Sequence, residues 1–475
     1  MSHDAGSEHA DLATSIATAL RPVLGEVVVH ELAPLTGGAS RETWSFDAVD
    51  ADATVHQLVL RRDPLTRPTA PGAMSLEAQV MGAASAQGMP VPEVLVVDDD
   101  AGSWGSAGLV MRRIEGETLA RRILRDERFG AARRQLAEQC GRALAALHTI
   151  DPDTIDGLEW RDPIEGLREV LDELGDTVPT FEVAMRWLEQ RRPDPVGRGV
   201  VHGDFRLGNL MVDEQGLRSV LDWELVHEGE PAEDLAWLCV KAWRFGAGPP
   251  VAGVGTREQL LDGYAHAGGA VVPEDVLRWW EVYGTLRWGV ICMKQYGVHH
   301  RGELRSVELA AIGRRVPETE WDLLCLIDPE AASSARSADL DAQAEGPGGE
   351  DAADDGATLA DDLHGPPTSL ELVQAVREFL TEQVMPSTDG LVSFHTRVAA
   401  NVLATVEREL VVGAAQQVAR HATLDGLGLG SEHALADAVR EGTFDGRAAQ
   451  LVEVLATGVV ARLSVANPRH LALPI

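Results

Sequence analysis

The feature that most constrains this chain is the run from Val200 to Leu238, VVHGDFRLGNLMVDEQGLRSVLDWELVHEGEPAEDLAWL, which sets Asp204, Asn209 and Asp222 in one short span. Apolar Val200 and Val201 predict a strand that runs into a loop. Leu210–Val212 and Val220–Leu221 predict a hairpin around Glu214–Gly216. Such a hairpin brings Asn209 and Asp222 to the same end. An amide oxygen and a carboxylate are hard ligands, suited to a Mg²⁺ ion that keeps waters and takes further oxygens from phosphates. Asp204 lies on the same loop without being needed as a ligand, so it is free to accept a proton from a hydroxyl.

The run H-G-D-F-R-L-G-N fits the pattern H-x-D-x-[KR]-x-x-N position by position, and Asp222-Trp223-Glu224 and E-P-x-x-D-L-A follow it. On these residues the chain resembles the aminoglycoside phosphotransferase-like kinases; the D-F-G and A-P-E of protein kinases are not found. The wording of VLRRDP, VMRRIEGE and HGDFRLGN is most similar to the kinase domains associated with acyl-CoA dehydrogenases. The resemblance implies an α+β, bilobal protein-kinase-like fold with a small β-rich N-lobe and a mainly helical C-lobe. It also implies ATP as phosphoryl donor, with GTP left open, together with Mg²⁺ and a small-molecule hydroxyl as acceptor. Asp204 is then the base, and Arg206 faces the γ-phosphoryl group. Asn209 and Asp222 hold the metal, His202 is structural, and Asp234 anchors the loop backbone.

A fold of this kind needs a phosphate-covering loop, a cation on the third strand and a helix acid to meet it. Gly37, Gly38 and Ser40 lie between apolar runs, and paired glycines let backbone N–H groups approach a phosphate. TVHQLVLRR at Thr54–Arg62 alternates as a strand, with Val59 and Arg61 on the nucleotide face. The two lysines of the chain, Lys241 and Lys294, lie downstream of the catalytic loop, so a guanidinium must act in the N-lobe. Arg61 takes that place, and Arg62 takes it if the strand is displaced by one residue. Ser75–Gln87 predicts a helix with Leu76, Val80 and Ala83–Ala84 inward and Glu77 meeting the strand cation. Adenine is expected at the backbone of about Arg112 to Ile114.

The boundaries expected are an N-terminal helix and N-lobe over 1–111, hinge and C-lobe over 112–328, an acidic disordered linker over 329–364 and a helical bundle over 365–475. The linker is rich in Asp, Glu, Ala and Gly with almost no large apolar residue, and is expected to hold two bodies apart. Three apolar stripes are expected in the bundle: Leu372–Leu380, Phe394–Leu410, and Leu451, Leu455, Val459 and Leu463. The bundle resembles an uncharacterised helical domain found beside such kinases, and is assigned to self-association or a protein partner.

A formal charge of −34 argues against general nucleic-acid binding. No signal peptide and no run of membrane-span length is read, so a cytoplasmic enzyme without membrane contact is expected, and the use of Arg over Lys with heavy Ala and Gly points to a bacterial source. Cys140, Cys239, Cys292 and Cys325 are read as reduced core thiols. Trp237 and Trp243, among other tryptophans, are read as core filling in preference to pocket lining. The acceptor stays open between an aminoglycoside-like polycation and a hydroxyacyl-CoA or hydroxy acid, for which the arginines of Arg121–Arg134 are candidates. The alternative to an enzyme is a nucleotide-binding pseudokinase scaffold that acts through the bundle.

Overall fold

Alternating residues in the N-terminal third dictate a sheet with one covered face. The strands are β1 (Val27–Pro34), β2 (Glu42–Asp50), β3 (Val55–Arg62), β4 (Val94–Asp98) and β5 (Gly108–Arg112), antiparallel in the order β1-β2-β3-β5-β4. Helix α1 (Asp4–Leu24) presents Leu12, Ile16 and Leu20, four residues apart on one stripe, to Phe46, Ala48, Leu58 and Leu60. Leu58 and Leu60 thus point to α1, while Val59 and Arg61 take the opposite face. The computed structural model describes residues 4–35, 41–64, 70–100, 102–175, 177–334, 336–337 and 367–472.

Helix α2 (Ala73–Ala86) buries Met74, Glu77, Val80, Met81 and Ala84. The predicted inward face was offset: Leu76 and Ala83 are half-buried. The stripe turns toward Glu77, whose carboxylate is buried against arginines. Further along, the Gly130–His148 helix packs closely on the Arg257–His266 helix, since a Cβ at Gly141 would lie 2.1 Å from the Leu260 carbonyl oxygen.

The chain divides into two compact units, Met1–Arg161 with Pro193–Glu281, and Asp162–Arg192 with Val282–Ile475. The second unit corrects the expectation of a bundle held apart from the C-lobe. Trp321, Leu324 and Cys325 of the Val316–Ile327 helix share one core with Leu435, Val439, Leu451, Leu455, Val459 and Leu463. Polar groups tie the same helices together. Glu320 accepts from Thr180 Oγ1 at 2.9 Å and Arg462 Nη2 at 2.7 Å, His470 Nε2 meets Asp322 at 2.9 Å, and Asn467 donates to Glu318 at 3.0 Å. Apolar burial and carboxylate pairing along one helix account for the difference.

Chain continuity also differs at the expected linker. Residues 329–334 are helical and Ala332 is buried in this core, while 338–366 lie outside the described residues. Of the three expected stripes, the third is core; Leu372, Val376, Phe379, Phe394 and Leu410 are exposed. The Ala448–Ala466 helix has the length and apolarity to cross a membrane, contrary to the reading of no such run, and its Leu455, Val459 and Leu463 are packed in the shared core. All four cysteines are buried thiols outside any disulfide, and burial pushes the Cys140, Cys239 and Cys292 thiols up to about 12.

Candidate active site

The loop after β6 (Gly199–Val201) is held by a carboxylate from the Ala232–Trp237 helix. Asp234 is fully buried and accepts from the His202 N–H at 2.8 Å, the Gly203 N–H at 3.0 Å and His148 Nε2 at 3.2 Å. Burial alone would raise its carboxyl pKa, but the hydrogen bond and charge of His148 and the hydrogen bond from the His202 N–H hold it below the ordinary range. His148 is in turn bonded through Nδ1 to the Tyr264 hydroxyl at 3.0 Å. Gly203 adopts φ +78°, and a Cβ there would lie 2.5 Å from the Leu225 carbonyl oxygen. A side chain would therefore be strained and obstructed.

His202 is engaged on both nitrogens: Nδ1 accepts from the Asp204 N–H at 3.2 Å, and Nε2 reaches the Leu221 carbonyl at 3.1 Å. A backbone N–H can only donate, so the neutral ring carries its proton on Nε2. Trp223 packs on this imidazole at 4.6 Å between centroids and donates to the Val220 carbonyl at 3.2 Å. The histidine secures the loop and is not placed for proton transfer.

Asp204 is the focus of the side-chain donors. Its Oδ1 accepts from Trp237 Nε1 at 2.9 Å and Arg206 Nε at 3.0 Å; Oδ2 accepts from Asn209 Nδ2 at 2.6 Å and Arg206 Nε at 3.1 Å. Asn209 also donates to the Asp204 carbonyl at 3.0 Å. With its nitrogen committed there, the Asn209 amide oxygen is the atom left to serve as a ligand.

Asn209 leads into the hairpin of β7 (Leu210–Asp213) and β8 (Gly216–Val220), and the Leu221 N–H donates to the Asn209 carbonyl at 2.9 Å. Asp222 follows at φ +67°, a left-handed conformation that few residues other than glycine adopt and that Asp tolerates best with Asn. No cluster of three or more His, Cys, Asp or Glu suited to a metal occurs among the described residues. One amide oxygen and one carboxylate fit Mg²⁺ in company with phosphate oxygens and water, and do not fit an all-protein cage.

Two guanidiniums share the N-lobe side. Arg61 Nη2 lies 2.6 Å from Asp222 Oδ1, and its Nη1 is 4.0 Å from Glu77 Oε2. The close partner of Glu77 is instead Arg41, whose Nη1 lies 2.5 Å from Oε1 and whose Nε bonds Asp63 at 3.2 Å. The expected pairing of Glu77 with the strand cation is corrected to this extent: Arg41 takes Glu77, and Arg61 spans toward Asp222. Burial alone would lower the Arg41 pKa, but Glu77, Glu224 and Asp63 outweigh it and keep a permanent cation there. The same burial pushes the Glu77 carboxyl upward against Arg41 and Arg61. Arg62, the alternative candidate, is turned away and donates to Glu42 at 2.9 Å and the Trp104 carbonyl at 2.8 Å.

Val59 is buried on the Arg61 side of the sheet. Gly37, Gly38 and Ser40 lie outside the described residues. In the hinge, the Arg112 N–H donates to the Glu93 carbonyl and the Arg113 N–H to the Gln57 carbonyl, both at 2.9 Å. No bond from the Ile114 N–H occurs among the described residues, so that group, rather than Arg112, is the donor open to a base. In the basic run, Arg133 and Arg134 donate to helix carbonyls, and Arg122 and Arg128 converge on Glu117.

Sequence reasoning missed Arg41 and Trp237. Arg41 directly follows the glycine loop, and a buried cation there had no local signal. Trp237 lies three residues after Asp234 on one helical face, a spacing that could have flagged it.

Residues 31–276 match the family described as phosphotransferase enzyme family (APH), and residues 386–470 match a domain of unknown function, DUF6285. The chain is 31% identical over 196 residues to acyl-CoA dehydrogenase family member 11 of Gallus gallus, covering 38% of this chain and 24% of that protein. It is 27% identical over 225 residues to acyl-CoA dehydrogenase family member 10 of Mus musculus, covering 44% and 20%. The matched part is thus about a quarter of these relatives' length, and it agrees with the motif wording noted in the sequence. A solved structure from Ralstonia eutropha JMP134, assigned as an aminoglycoside phosphotransferase, aligns with a TM-score of 0.51 and 22% identity over 66% of this chain and 95% of that one. The fold is the kinase-like one, with a β-rich N-terminal region and a mainly helical remainder.

Proposed function

As the chain belongs to the phosphotransferase enzyme family, we propose that it transfers the γ-phosphoryl group of ATP to a hydroxyl of a small molecule. In this reading Asp204 is the base and Arg206 the cation at the transferred group. Arg61, which reaches Asp222, contacts the α- and β-phosphates, Val59 and the Ile114 N–H hold the adenine, and Gly37, Gly38 and Ser40 cover the phosphates. Asn209 through its amide oxygen and Asp222 through its carboxylate would hold Mg²⁺, which when bound neutralises phosphate charge.

The observation that carries the reading is the convergence of Trp237, Arg206 and Asn209 on the Asp204 carboxylate. Three donors orient one carboxylate, and one of them is a guanidinium. When Arg206 turns to a γ-phosphoryl group, a lone pair on Asp204 becomes free to receive the proton of the acceptor hydroxyl. Arg61 undergoes the parallel exchange, leaving Asp222 for phosphate oxygens. The motif wording and the names of the curated relatives favour an acceptor of the hydroxyacyl-CoA or hydroxy-acid class over a polycation.

The test is Mg²⁺-dependent phosphate transfer from γ-labelled ATP to a panel of hydroxyacyl-CoA thioesters, hydroxy acids and aminoglycosides. Labelled product from one class supports the reading and identifies the acceptor. Tight Mg-ATP binding with no labelled product from any class refutes it in favour of a nucleotide-binding scaffold.

A further inference from the structure

The base and the phosphate-facing cation rest on two aromatic rings from one stretch of chain. Trp237, at the end of its helix, donates its indole N–H to Asp204 Oδ1 at 2.9 Å. Six residues on, Trp243 lies under Arg206, whose guanidinium carbon is 4.8 Å from the ring centroid. The two rings pack at 5.2 Å with an interplanar angle of 54°, and both are buried. Asp234, three residues before Trp237, holds the loop backbone from the same helix.

We propose that Trp237 and Trp243 are positioning residues for phosphoryl transfer, Trp237 fixing the orientation of the Asp204 carboxylate and Trp243 holding the Arg206 guanidinium by its π face. The proposal rests on the phosphotransferase reading above. An indole N–H is a donor that accepts nothing, so it fixes Oδ1 without competing for the proton that Asp204 must receive. A ring under a guanidinium binds its face and leaves the N–H edges available, so Arg206 can exchange a carboxylate for a phosphoryl group while staying on the same platform. A pair of tryptophans that merely filled the core would need neither the N–H nor the cation.

The first test is spectroscopic and needs no acceptor. In protein labelled with ¹⁵N-indole tryptophan, the Trp237 resonance is assigned by its loss in Trp237→Phe. It is expected to shift in Asp204→Asn, where a neutral amide replaces the carboxylate acceptor. An unchanged indole resonance overturns the proposal, whether or not the chain turns over.

The second test is kinetic. Trp237→Phe keeps an aromatic ring, though a smaller one, and removes the donor; kcat is expected to fall by about 10- to 100-fold, the scale of a slightly misplaced reacting group. The nucleotide KM and the unfolding midpoint should stay near wild type. Trp243→Leu should lower kcat similarly, with Trp243→Phe recovering most of it. Full kcat in Trp237→Phe refutes the proposal. Should that variant fail to fold, the Trp237 indole is assigned in the wild type by sequential backbone assignment carried to its side chain, and its shift in Asp204→Asn decides. Absence of turnover in the wild type would sink the phosphotransferase reading, while the indole shift would still report whether Trp237 holds Asp204.

Discussion

Replacing Asp234 by Asn tests how the loop is built. The carboxylate is fully buried and accepts from the His202 and Gly203 N–H groups and from His148 Nε2. An amide of the same shape keeps one oxygen for these donors and sets an NH₂ group against the rest. Hydrogen bonds to a charged group contribute about 1.5–3 kcal/mol each, and a buried donor left unmatched costs about 1–3 kcal/mol. Losing one such bond with partial compensation gives an expected destabilisation of roughly 2–4 kcal/mol, read as a lower urea midpoint at unchanged slope.

The pH dependence has a definite sign. Because the folded state holds this carboxyl below its ordinary pKa, the stability it adds is fully present above the unfolded value of about 3.9. It is lost as pH falls through the folded value. The gap between wild type and Asp234→Asn should therefore persist at pH 5 and narrow below about pH 4. A gap under about 0.5 kcal/mol at pH 7, within the range of ordinary surface substitutions, or one that does not narrow below about pH 4, would refute the reasoning.

Arg41→Ala leaves the buried Glu77 carboxylate without its close partner, and a loss of about 3–5 kcal/mol is expected by thermal or urea unfolding, with partial recovery in the Arg41→Ala, Glu77→Gln double variant. No recovery would mean that the pair is not coupled. Gly203→Ala places a methyl against the Leu225 carbonyl at positive φ; a stability loss of about 1–3 kcal/mol is expected, together with weaker protection of the His202 and Gly203 amides in hydrogen exchange. Wild-type protection would refute it. Deleting 368–475 strips Trp321 and Leu324 of their apolar neighbours and Glu320 of Arg462; the shortened chain should show a lower melting midpoint and more aggregation than the full one. Equal midpoints would show the bundle to be separable.

The placement of Asp204, Asn209 and Asp222 was legible because it is set locally, while Asp234 was named from the family motif. A short loop and a two-stranded hairpin fix where such side chains go almost independently of the rest of the fold. Strand alternation likewise separates Arg61 from Arg62, since a period of two assigns adjacent residues to opposite faces. Other features depend on packing between distant segments. Arg41 reaches Glu77 across 36 residues of sequence, and Glu77 is buried beside Val80 and Ala84 of the expected apolar face. Trp237 looks like core until the Asp204 carboxylate is known to lie at its N–H. In the C-terminal region, apolar periodicity identified helices but could not say which stripe is covered. Leu455, Val459 and Leu463 pack with Trp321, while Leu372, Val376 and Phe379 stay exposed.

The most direct measurement is calorimetric binding of ATP with and without Mg²⁺, set beside turnover, for wild type, Asp204→Ala and Asp222→Ala. The account predicts that Asp204→Ala lowers turnover by about 10²–10⁴ with Mg-ATP affinity nearly unchanged, the range for loss of a general base. Asp222→Ala should abolish the Mg²⁺-dependent part of nucleotide binding as well as turnover. Undiminished turnover in Asp204→Ala, or Mg²⁺-dependent binding that survives in Asp222→Ala, would contradict the assignment of base and metal ligand.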